Sequence, residues 1–124
     1  MACAAALVTI ELLERELLAN AARMGTYLRD RMRDWPARFP IVGDVRGLGL
    51  MIGIELVRDR ETKERAADER NAVVLGAFAR GLLILGAGKN SVRFSPPLVL
   101  TREQADIAVK IFDEALTEVE GSRR

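Results

Sequence analysis

Residues 42–57 read VGDVRGLGLMIGIELV. Apolar and β-branched residues flank a glycine-broken centre, the pattern of two extended segments joined by a tight turn. The alternation is imperfect, so both faces of the resulting sheet are expected to be partly covered. Gly47, Gly49 and Gly53 suit positions where a hairpin or bulge needs positive φ or close backbone approach. A nucleotide-loop reading is weaker. No G-x-G-x-x-G opens a helix after a strand here, and GAGKN at 86–90 lacks the full phosphate-loop spacing.

Working outward, the spacing of Ile10, Leu13, Leu17, Met24, Leu28 and Met32 predicts a helix from about Ala2 to Asp34. Trp35-Pro36 should stop it, because proline restricts the residue before it. On the other side, RDRETKERAADER (58–70) holds five basic and five acidic residues and reads as a solvated loop leading into a helix over about 67–80. GLLILGAG (81–88) supplies a glycine stop at Gly81, a short strand and a turn. SVRFSP (91–96) is the next strand, and Pro96-Pro97 end its pairing because proline has no N–H for a ladder.

Thr101 with Gln104 three residues on is a capping signature. It opens a helix to about Glu120, whose buried stripe is Ala105, Ala108, Val109, Phe112, Leu116 and Val119. The order is α-β-β-α-β-β-α, and the economical architecture is an α+β domain with a small, mainly antiparallel sheet and helices packed against it.

The 124 residues suffice for one domain. Nineteen basic against eighteen acidic residues leave a net charge of +1, so no global field draws nucleic acid or an anionic membrane. With no histidine and a single cysteine, Cys3, the usual zinc sets and an internal disulfide framework are excluded. The apolar stretch ACAAALVTIELL (2–13) is interrupted by Thr9 and Glu11 and is too short to span a bilayer. No basic leader precedes it, so a cytoplasmic location without a signal peptide is expected. Cys3 reads as a small packing residue, because no histidine exists to activate it.

From Ala2 to Leu13 the helix is apolar around nearly its whole circumference, which calls for something to cover it. A central or dimer-interface helix would do so, as would a position in the middle of a larger protein.

ACAAALVTIELLE (2–14), VGDVRGLGLMIGIELV (42–57), GLLILGAG (81–88) and VRFSPPLVLT (92–101), in this order and spacing, resemble the class III pyridoxal-phosphate aminotransferases, the group of the 4-aminobutyrate, ornithine and acetylornithine enzymes. The match covers essentially the whole chain and corresponds to the C-terminal small domain of that family. The resemblance implies that residues 1–124 form this one domain, with the helix over about 2–34 leading from an absent large domain. It also implies a homo-oligomeric enzyme that binds pyridoxal 5'-phosphate and moves an amino group from an amino acid or omega-amino donor to an oxoacid such as 2-oxoglutarate. The family's cofactor lysine, the aspartate facing the pyridine nitrogen and most phosphate-binding residues lie upstream of the matched region. The chain alone is therefore expected to be inactive and to bind no cofactor.

The lysines agree with this expectation, because a cofactor lysine needs a desolvated pocket. Lys63 falls in the charged loop and Lys89 in a glycine-rich turn. Lys110 lies on a polar helix face between Asp106 and Glu114, which favours its protonated form. Arg46 reads as a structural residue reaching a carboxylate such as Asp44 or a helix C-terminus, in preference to direct substrate contact.

From composition alone, Arg93 reads as a surface strand residue paired with a carboxylate. The resemblance implies more, since the arginine of the R-x-x-P-P segment in similar family members binds the substrate carboxylate, and Arg93 matches it. Guanidinium suits that task by presenting two parallel N–H donors. Ser95 and Asn90 are further candidates for the same edge. A competing reading is a free-standing α+β module for carboxylate binding or oligomerisation, which would need a first helix with a solvated face.

Overall fold

The computed structural model describes residues 1–123. Its centre is the hairpin expected at 42–57: β1 (Val42–Leu48) pairs antiparallel with β2 (Met51–Asp59), and Leu48 faces Met51 across the turn. Gly49 has φ +53°, the left-handed conformation that a glycine-first hairpin turn uses. A register shift between Val42 and Asp44 marks a bulge.

β5 (Ser91–Phe94) adds antiparallel to the free edge of β2, and β4 (Leu85–Ala87) pairs with β5. The order is β1-β2-β5-β4, with the two-residue β3 (Glu64–Arg65) on the end of β2. This is the expected α+β arrangement with an antiparallel sheet. β3 is a small addition within the segment read as loop.

Before the sheet come α1 (Ala2–Leu12), a π-helical stretch (Leu13–Leu17) and α2 (Leu18–Met32). The helix thus ends slightly before Asp34. Trp35-Pro36 opens a further helical turn, α3 (Trp35–Arg38), rather than only closing the first helix. Proline is suited to a first turn, where its missing N–H costs no hydrogen bond. α4 (Ala67–Ala79) and α5 (Arg102–Ser122) complete the chain.

The helices cover one face of the sheet only. Met24, Leu28 and Met32 of α2, Val73 and Ala77 of α4, and Ala105, Val109, Phe112, Ala115 and Leu116 of α5 are buried with Ile52, Ile54, Val92 and Phe94 of the strands. Phe112 sits centrally, stacked on Trp35 at 5.3 Å and edge-on to Phe94 at 5.1 Å between ring centroids. The alternate strand residues, among them Arg46, Met51, Leu85 and Arg93, are exposed on the opposite face. The partial cover expected of both faces is met on this second face only towards one end, where Val57 is buried outside the core cluster.

Candidate functional site

β5 alternates strictly. Val92 and Phe94 point into the core while Arg93 points to the open face. Arg93 lies opposite Gly53 on β2 and opposite Leu85 on β4, so the strand is paired along both edges at this residue. That double pairing makes the backbone carrying Arg93 rigid, as a positioning residue requires.

The exit of the strand is equally fixed. Leu100 N–H donates to the Pro97 carbonyl at 3.0 Å. The Asn20 side-chain amide, from α2, donates to the carbonyls of Leu98 at 2.6 Å and Leu100 at 3.2 Å. Thr101 then starts α5 with the expected reciprocal capping box: its hydroxyl accepts from Gln104 N–H, and the Gln104 side chain accepts from Thr101 N–H. The Asn20 contact spans 78 positions, and no local sequence signal announces it.

Among the described residues, Arg93 has no carboxylate within ion-pair distance. The surface ion pair that composition alone favoured is not formed. Most other arginines are engaged, for example Arg58 with Glu64, Asp68 and Glu69, and Arg60 with the carbonyls of Pro36, Phe39 and Val42. Arg93 borders a cleft of about 420 Å³, with walls that include Leu83, Leu85, Ser95, Pro96 and Pro97. The arrangement presents a free guanidinium beside apolar surface, a combination suited to a carboxylate with an apolar body.

Arg46 behaves as expected. It donates to Asp44 at 2.7 Å and Glu55 at 2.8 Å. The hydrogen bond to Asp44, followed by that to Glu55, raises its already high pKa, and the same contact holds the Glu55 carboxyl below its usual range. Arg46 is thus committed within the chain.

Asn90 does not line the edge with Arg93. It is buried, its side-chain amide donates to the Leu56 carbonyl at 2.7 Å, and its own carbonyl accepts from Leu56 N–H at 2.8 Å. It locks β2 to the start of β5. Ser95 is exposed and does border the cleft.

Lys63, Lys89 and Lys110 are all exposed, so none offers the desolvated amine a cofactor lysine requires. Cys3 is also exposed, which corrects its reading as a packing residue in this chain. No residue of α1 is buried. Among the described residues there is no cluster of metal-ligating side chains, and no helix is long and apolar enough to cross a membrane.

Known proteins resemble this chain in sequence and in fold. The family model for class-III aminotransferases matches residues 1–116. The chain is 44% identical over 118 residues to an isoleucine 2-epimerase of Lentilactobacillus buchneri, covering 94% of this chain and 26% of that protein. It is 42% identical to a taurine–pyruvate aminotransferase of Bilophila wadsworthia, covering 94% of this chain and 27% of that protein. An amine transaminase from an uncultivated Pseudomonas species, solved in its PLP-bound form, superposes with a TM-score of 0.87 at 36% identity, over 94% of this chain and 27% of that one. The chain spans about a quarter of the length of the relatives it matches.

Proposed function

The chain belongs to the class III aminotransferase family, and from that premise we propose that residues 1–124 are the C-terminal small domain of a pyridoxal-phosphate-dependent aminotransferase. A large domain carries the cofactor, and this domain closes the substrate cleft. The whole enzyme transfers an amino group from an amino acid or omega-amino donor to an oxoacid such as 2-oxoglutarate, as a cytoplasmic homo-oligomer.

A single observation carries the role of this chain: an exposed arginine held on a doubly paired strand, with no carboxylate among the described residues within ion-pair distance. Arg93 takes the substrate carboxylate with two parallel N–H donors and fixes the orientation of the rest of the molecule. Its contribution is positional, since a guanidinium stays protonated throughout and moves no proton. The open sheet face gives the remaining parts of the site a surface to meet. α1 supports the same reading, because Leu7, Val8 and Ile10 are exposed on a helix without a polar face. A free-standing module would not leave them so.

Pyridoxal phosphate supplies the electron sink for the amino-group chemistry when it is bound. The three exposed lysines of this chain do not fit the role of the cofactor's Schiff-base partner. The chain mixed with pyridoxal phosphate is expected to give no shifted absorbance band and no amino transfer to 2-oxoglutarate. Appearance of both would refute the reading.

Arg93→Gln in the complete enzyme tests the anchor. KM for a carboxylate-bearing substrate should rise by roughly 100-fold, the scale of one lost charge-assisted contact pair. An amine substrate without a carboxylate should be unaffected. Equal losses for both substrates would count against Arg93 as the anchor.

The likeness to an isoleucine 2-epimerase favours a second reading, in which the whole protein inverts an amino acid at its α-carbon. Amino acid inversion without added oxoacid separates this from transfer, and Arg93 serves the same carboxylate in either case.

A further inference from the structure

Gly47, Gly49 and Gly53 lie about the turn of the central hairpin, and the backbone accounts for two of them. Gly49 adopts φ +53°, and a Cβ on Gly47 would stand 2.1 Å from the Met51 carbonyl oxygen. Gly53 has neither reason. It lies within β2 with no positive φ, and a Cβ there would meet only the Arg46 carbonyl oxygen at 3.9 Å, an ordinary contact. Its neighbours Ile52 and Ile54 are β-branched and buried, so the strand would gain by carrying a side chain here.

The register shows what the missing side chain leaves open. Arg46, Gly53 and Arg93 lie in one row across β1, β2 and β5, with Leu85 next on β4. Directly opposed residues on a sheet face hold their Cβ atoms about 5 Å apart, so a side chain at 53 would stand against that of Arg93. On the β4 side Leu85 fills the corresponding place. On the β2 side the place is empty. Beyond it, Arg46 is already occupied by Asp44 and Glu55, leaving Arg93 as the cation free to receive an acid.

We propose that Gly53 is a specificity-determining position, whose absent side chain keeps a notch beside Arg93 that admits the carboxylate group of the substrate. The proposal rests on the reading of Arg93 as carboxylate anchor. Gly53 touches no reacting atom; it sets the room in which the acid meets the guanidinium. The notch lowers the stability of β2, because glycine in a strand interior carries extra chain entropy and packs nothing. A residue retained only for the fold would show the opposite sign on replacement.

The test uses the purified chain with propionate as probe. The rate of phenylglyoxal modification at Arg93 is followed by peptide mass spectrometry with and without propionate, with Arg65 as an exposed control. In the unsubstituted chain propionate should slow modification of Arg93 and leave Arg65 unchanged. In Gly53→Val the half-protecting propionate concentration should rise by roughly tenfold, with each modification rate taken relative to the rate without propionate in the same variant. Gly53→Ala should raise the melting temperature by roughly 2–5 °C and weaken protection less than valine does.

Protection equal to that of the unsubstituted chain in Gly53→Val would overturn the notch and leave Arg93 as the anchor. A lower melting temperature in Gly53→Ala would overturn it as well, by showing that the fold requires glycine there. Absence of any propionate protection in the unsubstituted chain would remove the anchor and the notch together.

Discussion

Gly25→Ala is a perturbation for which local and tertiary reasoning give opposite signs. Gly25 lies inside α2, where replacing glycine by alanine on an exposed helix stabilises by about 1 kcal/mol. In this fold Gly25 is buried against the β1–β2 turn. An added Cβ would stand 2.0 Å from the Gly49 carbonyl oxygen, 2.3 Å from its carbon and 2.6 Å from its Cα. Ordinary contact lies near 3.5 Å, so the turn must retreat by about 1.5 Å.

The atoms in the way are backbone, not the end of a flexible side chain, and Gly49 is already held at φ +53°. Arg29 donates to the Gly47 carbonyl at 3.2 Å, a second tie between helix and hairpin that the retreat would stretch. Overpacking of this kind costs about 2–4 kcal/mol, and the helix-propensity gain offsets about 1 of it. A net loss of about 1–3 kcal/mol corresponds to a melting temperature lower by roughly 4–12 °C for a chain of this size. Thermal unfolding followed by far-ultraviolet circular dichroism measures it. A melting temperature equal to or above that of the unsubstituted chain would refute the close approach of α2 to the hairpin turn.

Thr101→Ala removes one half of the capping box at the start of α5 and should cost about 1 kcal/mol in denaturant unfolding, whereas Thr101→Ser should cost less; equal losses would deny the hydroxyl its role. Stability should also fall in acid. Hydrogen bonds from Arg46 and Arg58 hold Glu55 and Glu69 respectively below the usual glutamate range. A depressed folded-state pKa contributes stability that is full above the unfolded value of about 4.3 and is lost as pH falls through the folded value. Urea midpoints between pH 6 and pH 3 should therefore decline, less steeply in the Glu55→Gln, Glu69→Gln double variant, and a slope unchanged by that substitution would count against these pairs.

Much of the fold was legible because its signals are local. The hairpin follows from apolar runs around a glycine turn, and α5 follows from Thr101, Gln104 and the spacing of Val109, Phe112 and Leu116. Trp35-Pro36 misled on a detail, since proline ends one helix and opens another by the same missing N–H. Arg93 could be singled out through the four motifs that mark the family, yet nothing near it in the chain told whether a carboxylate would neutralise it. Asn90, two residues before Val92, is a further candidate for that edge from sequence and is instead buried in a contact with Leu56.

By itself the sequence determined the principal helices and strands, the inward stripe of α5, and the family, because each depends on spacing within one segment. Only the tertiary structure decided which arginine is free and what each glycine is for. Arg46 and Arg93 share a row and a chemistry, but Asp44 and Glu55 reach only the first. Gly25, Gly49 and Gly53 are alike in sequence, yet one makes room for a turn, one bends it, and one lies in a row with Arg46 and Arg93 where a Cβ would meet only an ordinary contact. Those differences arise from cross-strand register and helix packing, which bring together residues far apart along the chain and leave no mark in the segments themselves.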